Sequence, residues 1–428
     1  MFDVIINTWR SLGKEKRLRI ILYLFLFTTL SGAVRKWGVT SAVISNAILG
    51  IQLTIPLSFV FFKNAFHFDY NQRNTFIVIL SYIFILLLLA ANPLGATLGH
   101  GILGVVVHLG FWLPMFIYVK DPEAFKIEKL IPLLIIICFA QVILGSIQSA
   151  LPPEAWLNKY ATTEGAGVAD ALVGDAVRVS GTFSYISGYG SFMLFYTLLI
   201  CVLIKIRYQP FVLIPFIALG YYGCLISGSR GTTYSYLIIL GMFVITSVNI
   251  KANAKLIGGA FLVILVAGFF NFVLQDPLNI YEKFSSSADN FEERESGASD
   301  NTKNRVTGSL DELIDLEFEH DIIGVGLGST YQGANALFGY NRNLNGQVFE
   351  TEFKRIVLEG GYILLILRFV MYFYLLYLLR GSMIFKLSVF VLSLFVFTII
   401  YNTYNTFYFM LGMILLDRVF RLESTKDL

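Results

Sequence analysis

Charge is what this chain has least of. Asp, Glu, Lys and Arg make up 14% of its 428 residues, against 56% apolar residues, whereas a soluble domain carries about a quarter charged residues. That shortage excludes an ordinary soluble domain. The net charge of +3 is small and scattered, so no basic patch argues for a nucleic-acid partner. Cysteine is scarce as well. Cys138, Cys201 and Cys224 all sit inside apolar runs, at spacings that suit no metal or redox motif, and read as small buried hydrophobes. Histidine is nearly as scarce, with four residues in the whole chain, and His67, His100 and His108 form no metal set. No internal repeat is visible, which removes the sequence signature of an inverted-repeat transporter. A small-residue cleavage site is missing after the first apolar run. Arg10, Lys14, Lys16, Arg17 and Arg19 precede that run and Arg35-Lys36-Trp37 follows it, the pattern of a retained signal anchor.

What the chain has instead is apolar runs of roughly 17–24 residues, the length that crosses a bilayer as helix. Lipid offers no partner to free peptide groups, so helix is the expected form. The sequence predicts an all-α integral membrane protein of about twelve spans, at 18–34, 40–62, 75–92, 99–118, 129–150, 182–204, 210–227, 232–249, 256–275, 356–379, 386–401 and 404–417. The last two are short. The distribution of basic residues tests this set. With the N-terminus inside, the inner segments collect nineteen, among them Lys120, Lys126, Lys129, Lys205, Arg207, Arg418 and Arg421. The short outer segments hold five: Arg35, Lys36, Lys159, Arg178 and Arg230. Both termini are therefore expected in the cytoplasm. Residues 1–275 form a membrane domain of nine spans, 276–355 a large extracytoplasmic loop, and 356–428 three more spans with a cytoplasmic tail. Within the loop, Ser285 to Arg305 reads as mobile. The capping box Ser309-Leu-Asp-Glu312 predicts a short amphipathic helix over 310–320. Pro152-Pro153 closes the fifth span and begins a second long outer segment.

Polar residues at the outer boundary are the candidates for chemistry. Arg178 lies just before span six and Arg230 in the turn Ser227-Gly-Ser-Arg-Gly231. Guanidinium pairs well with phosphate oxygens, so the two either anchor headgroups or share an anionic ligand. Gly181, Ser184, Gly188 and Ser191 recur at near-helical spacing and read as a close-packing stripe. Gly324-Val-Gly326-Leu-Gly328 lacks the spacing and preceding strand of a dinucleotide loop and reads as a compact turn laying the large loop on the membrane domain. Glu352, Arg355 and Glu359 share a helix face, either as an acid/base site or as a solvated ion-pair face. His320 stands alone before the glycine turn.

Four stretches together resemble the bacterial O-antigen polymerase and O-antigen ligase superfamily of multi-span, GT-C-like glycosyltransferases. They are Arg178-Val-Ser-Gly-Thr-Phe183, Ser227-Gly-Ser-Arg-Gly231, His320-Asp-Ile-Ile-Gly-Val-Gly-Leu-Gly328 and Glu350-Thr-Glu352-Phe-Lys354-Arg355-Ile-Val-Leu-Glu359-Gly-Gly361. The likeness covers most of 130–418. It implies a bacterial inner-membrane enzyme that polymerises polyprenyl-diphosphate-linked oligosaccharide repeat units by inverting transfer, without metal or other cofactor. Donor and acceptor would both be lipid-linked glycans, and a chain-length regulator is an implied partner. Arg178 and Arg230 match the motif arginines and would bind the diphosphate, and Arg355 would orient the acceptor. Ligases of the superfamily carry His-Asn about nine residues before the Glu of the Glu-x-Gly step. Glu350-Thr351 stands there instead. The base would then be Glu350, with Glu352 and His320 behind it, which favours a polymerase over a ligase. A transporter or flippase of a lipid-linked sugar is the alternative of a different class.

Overall fold

The computed structural model describes residues 16–61, 70–162, 165–168, 171–173, 176–247, 316, 318–331, 334, 337–344, 346–347, 352–395 and 403–426. Helix dominates them, as runs of Leu, Ile, Val and Phe without backbone partners in lipid require. The helices are α1 (Lys16–Ala33), α2 (Ala42–Thr54), α3 (Arg73–Ala90), α4 (Leu98–Leu109), α5 (Leu113–Lys120), α6 (Ile131–Ser149), α7 (Ile186–Lys205), α8 (Pro210–Ile226), α9 (Arg230–Ser247), α10 (Glu352–Leu378), α11 (Met383–Phe395) and α12 (Thr403–Lys426). Among the described residues, seven helical stretches are long and apolar enough to cross a membrane, with Pro210–Ile226 and Met383–Leu394 as shorter apolar helices. The architecture is that of a multi-pass helical membrane protein. The expected span 256–275, the stretch 285–305 expected to be mobile and most of the expected helix 310–320 lie outside the described residues.

Local chemistry explains the irregularities. Pro56 lacks the N–H that α2 needs to continue, and the helix passes into a tighter 3-10 turn over Ile55–Phe61. Gly110–Trp112 makes a similar turn between α4 and α5, so 98–120 is one jointed rod. The sixth span was expected from residue 182; α7 begins at Ile186 because Gly181 (φ +53°) turns the chain before it.

Exposure separates lipid-facing from protein-facing surfaces. On α3, Ile77, Leu80, Phe84, Leu87 and Leu88 are exposed, while Thr75, Ile79, Tyr82, Leu86 and Leu89 are buried. A stripe of large apolar side chains facing outward suits acyl chains, not water. α7 is the central rod, buried without a break from Ser191 to Ile204. It packs against α12, where a Cβ on Gly412 would overlap Leu198. Beside that crossing Tyr408 meets Phe25, Phe183 and Phe192 edge-on.

The two ends of the bundle differ. At one end α1, α3, α6 and α8 finish and α7, α9 and α10 begin. It carries two small antiparallel hairpins, β1 (Tyr160–Thr162) with β2 (Gly165–Gly167) and β3 (Leu172–Val173) with β4 (Ala176–Val177), and the described residues of 318–347. The opposite end is laced by ion pairs: Arg17 with Asp121 at 2.8 Å, Arg418 with Glu123 at 2.8 Å and Glu128 at 3.2 Å, and Arg421 with Asp417 at 2.6 Å. Tyr118 also donates to Asp417.

Candidate functional site

The segment Arg178–Ser184 is the keystone of the hairpin end. It has no helix or strand to satisfy its backbone, and buried peptide groups must find partners. Side chains supply them. Gln148 Oε1 accepts from the Gly181 amide at 2.8 Å, and Gln141 Oε1 accepts from the Thr182 amide at 3.2 Å. Lys36 Nζ donates to Ser180 Oγ (2.9 Å) and to the Gly181 carbonyl (2.7 Å), and Arg35 Nη1 donates to Ser184 Oγ (2.8 Å). Both cations are buried and lie in a π-helical turn, Val34–Gly38, that ends the first span. The wider turn there is one of the distortions that recur at functional sites. Gly32 lets α1 come this close, since a Cβ would overlap the Ser184 amide.

Arg178 emerges from this braced segment. Tyr160 Oη donates to its carbonyl at 2.6 Å, and its own Nε donates to the Ser227 carbonyl at 3.4 Å. Ser227 begins the turn Ser227-Gly228-Ser229, in which Gly228 takes φ +59° and Ser227 Oγ accepts from the Ser229 amide. Arg230 follows as the first residue of α9 and is buried. Arg178 and Arg230, far apart in sequence, therefore flank one turn. Beside it a cavity of about 320 Å³ opens between the N-terminal turns of α7 and α9 and the start of α12. Arg178 and Tyr185 stand on its wall with Ser187, Ser191, Ser229, Thr232, Ser235 and Asn405. Ser191 donates to Asn405 Oδ1, so the small-residue stripe read as packing has a second role at Ser191. Gly188 keeps the packing role, with Phe183 against the place a Cβ would take.

A second polar group lies around α10. Gly361 sits inside that helix at φ +67°, ψ −176°, which breaks it. The backbone groups released by the break are taken up by the glycine turn. Val325 and Gly326 amides donate to the Leu358 and Glu359 carbonyls at 2.8 and 3.0 Å, and the Tyr362 amide donates to the Asp321 carbonyl at 2.8 Å. Gly324, Gly326 and Gly328 all have positive φ, and a Cβ on Gly328 would overlap the His100 carbonyl on α4. The turn does lay the loop on the membrane domain, and irregular backbone is tolerated there because protein surrounds it. At its centre Glu359 is fully buried. Oε1 accepts from the Thr330 amide (2.8 Å) and hydroxyl (2.7 Å), and Oε2 from the Gly328 amide (2.8 Å) and His108 Nε2 (2.8 Å). His108 Nδ1 meets Arg368 Nη1 at 2.6 Å, and the guanidinium lies over Tyr82 and Trp112.

Placed on this frame, the sequence candidates divide. Arg178 stands on the cavity wall, and Arg230 follows the Ser227–Ser229 turn that Arg178 contacts. Glu352 opens α10, and Arg355, Arg368 and Glu359 are the charges that act on it. Glu352 Oε2 is buried without a hydrogen-bond partner among the described residues. The solvated ion-pair face is therefore corrected: Glu359 is an interior residue with both oxygens occupied. His320 is half-buried in a turn beside Phe318, and its carbonyl, not its ring, holds Gly324 at 2.7 Å. Glu350 lies outside the described residues. Among those residues no three His, Cys, Asp or Glu side chains are grouped to hold a metal ion.

Sequence reasoning missed Arg35 and Lys36 as site residues, although two adjacent cations closing a span were a usable signal. It also missed Asn405, whose surroundings Tyr401-Asn-Thr-Tyr-Asn-Thr406 are unusually polar for a span. His108 was weighed only as a metal ligand. Compared with known proteins, the chain matches no family model, no characterised sequence and no solved structure.

Proposed function

We propose that the chain is a GT-C-like membrane glycosyltransferase that polymerises polyprenyl-diphosphate-linked oligosaccharide repeat units at the outer face of a bacterial inner membrane. The observation that carries this reading is the cavity with Arg178 on its wall and Arg230 beside it. The N-termini of α7 and α9 also lie at this cavity, and their helix dipoles favour an anion. An acceptor hydroxyl attacks the anomeric carbon from the face opposite the diphosphate. The new glycosidic bond forms as the bond to the diphosphate oxygen breaks, and the acceptor proton passes to a carboxylate. Negative charge grows on the leaving diphosphate, where fixed cations act most strongly. Arg355 orients the acceptor. Glu359, with four donors on two oxygens, has no capacity left to serve as the base. Glu350 is the first candidate and Glu352, with its unpartnered buried oxygen, the second.

One observation favours transport of a lipid-linked sugar as a second reading. A broken helix with interior charge, as at Gly361, Glu359 and Arg368, is a common device of transporters. The experiment is reconstitution of the purified protein in liposomes with a lipid-linked repeat unit. Polymerisation gives a ladder of chain lengths and ligation a single addition. Unchanged substrate that has crossed the bilayer would establish transport and overturn the enzyme.

A further inference from the structure

We infer that the inner part of the cavity between α7, α9 and α12 is a monosaccharide pocket in which Ser235, aided by Thr232 and Asn405, recognises the sugar carried by the diphosphate. This rests on the reading of the cavity as the seat of a diphosphate-linked glycan, and it adds which part of the cavity reads which part of that ligand.

The wall changes chemistry with depth. Arg178, outside α7, is the one charged residue on it among the described residues. Ser187 to Leu194 on α7, and Ser229 to Ser235 along α9, carry the wall about 10 Å inward at 1.5 Å per residue. Along that path the lining is hydroxyl, amide and aliphatic. A phosphate pushed past Arg178 would lose its cation in a weakly polar interior. A neutral ring bearing hydroxyls matches hydroxyl and amide partners and has apolar faces for Leu194. The volume, about 320 Å³, is at the low end of small-molecule sites, roughly 300–1,000 Å³. It takes one ring, not an oligosaccharide.

Ser235 provides the independent observation. It is 3% exposed and lines the cavity, and its Oγ has no hydrogen-bond partner among the described residues. Helical serines commonly settle this need on the carbonyl four residues back, as Thr233 does with Ser229 in the same helix at 3.3 Å. Ser235 does not. A buried hydroxyl left unmade is destabilising, and a ligand hydroxyl in the cavity would complete it.

Two consequences of opposite sign separate this role from a structural one. Ser235→Ala removes an unpaired group, so the apparent Tm of the ligand-free protein in detergent should hold or rise. The same change should weaken sugar recognition by roughly tenfold, the worth of one buried hydrogen bond. The probes are geranylgeranyl diphosphate and its conjugates with glucose, galactose and N-acetylglucosamine, with Kd read by microscale thermophoresis on the full chain. Wild type should bind at least one conjugate more tightly than the sugarless diphosphate. Arg178→Ala should weaken all four, and Ser235→Ala only the preferred conjugate. If all four bind equally, or if Ser235→Ala weakens the sugarless diphosphate as well or lowers Tm by several degrees, the sugar pocket is overturned while the diphosphate site stands. If wild type binds none of the four, the diphosphate site falls too.

Discussion

Glu359 and His108, 251 residues apart in the chain, meet through a 2.8 Å hydrogen bond with both side chains fully buried. The contact ties α10 to α4, and through Gly328 and Thr330 the same carboxylate ties the glycine turn to both. All four of its acceptor positions are matched by donors, so its role is to hold the break in α10 together.

Glu359→Gln should therefore be destabilising out of proportion to its size. An amide offers one acceptor oxygen and turns an N–H2 toward groups that are themselves donors. Losing one partner of a buried charged group typically costs about 3–5 kcal/mol. The expected result is a clear fall in Tm of the detergent-purified protein, with earlier proteolysis in 320–331. An unchanged Tm would show that the carboxylate is not what holds the turn.

Gly361→Ala tests the other half of the same joint. At φ +67° a side chain is already strained, and the new Cβ would overlap the Ile322 carbonyl oxygen. The docked stretch 321–326 has to move, so faster hydrogen exchange is expected at Tyr362 and Ile363, whose amides bond Asp321 and Ile322. Gly241→Ala is the control, because nothing lies within 4 Å of its added Cβ. Equal exchange in the two variants would refute the docking.

The helices were legible from hydropathy because crossing a bilayer imposes a length and a polarity that each segment satisfies by itself. The span expected at 18–34 is α1 at Lys16–Ala33, and 75–92 is α3 at Arg73–Ala90. Arg178 and Arg230 stood out in the sequence because cations near a membrane boundary have few cheap roles, and the structure places the Arg178 side chain against the turn that precedes Arg230. The Glu359–His108–Arg368 chain was not, because it joins residues from distant helices and no local period records it. The break in α10 had a weak local trace in Gly360-Gly361, but adjacent glycines do not announce that a distant turn will fill the gap. Glu352 was placed on the right helix, yet its burial depends on how α10 packs, which periodicity does not supply.

Lys36→Met should loosen the site segment without touching the cavity. The substitution keeps the stem and removes the amine, leaving the Ser180 hydroxyl and Gly181 carbonyl without that donor. Each group left short costs about 1–3 kcal/mol. Tm should fall and glycan transfer should fall with it, through misplacement of Arg178. Full activity with a normal Tm would remove Lys36 from the site.

The two carboxylate candidates separate kinetically. A positioned base is worth roughly 10²–10⁴ in rate, so Glu350→Gln should lower kcat by at least about a hundredfold with KM little changed. Glu352→Gln should do so only if its buried oxygen is the one that takes the proton. If both variants turn over normally, the base is neither of them, and His320→Ala becomes the next variant to assay.

Arg178 offers the sharpest test of the proposed chemistry, because its backbone carries most of its share in the fold. The fold rests mainly on its backbone, whose carbonyl accepts from Tyr160 and whose amide donates to Ala171, and the side chain adds one long 3.4 Å bond to the Ser227 carbonyl, so Arg178→Ala leaves the backbone brace intact and the protein should still fold. Only the guanidinium is lost. Removing one donor aimed at developing charge costs about 10²–10³ in rate, and chain-length ladders from a reconstituted assay should shrink accordingly. Arg178→Lys restores the charge but not the planar fork that matches two phosphate oxygens. Its rate should lie between wild type and alanine. Equal rates for lysine and wild type would reduce the arginine to a point charge. Equal rates for alanine and wild type would move the diphosphate site away from the cavity altogether.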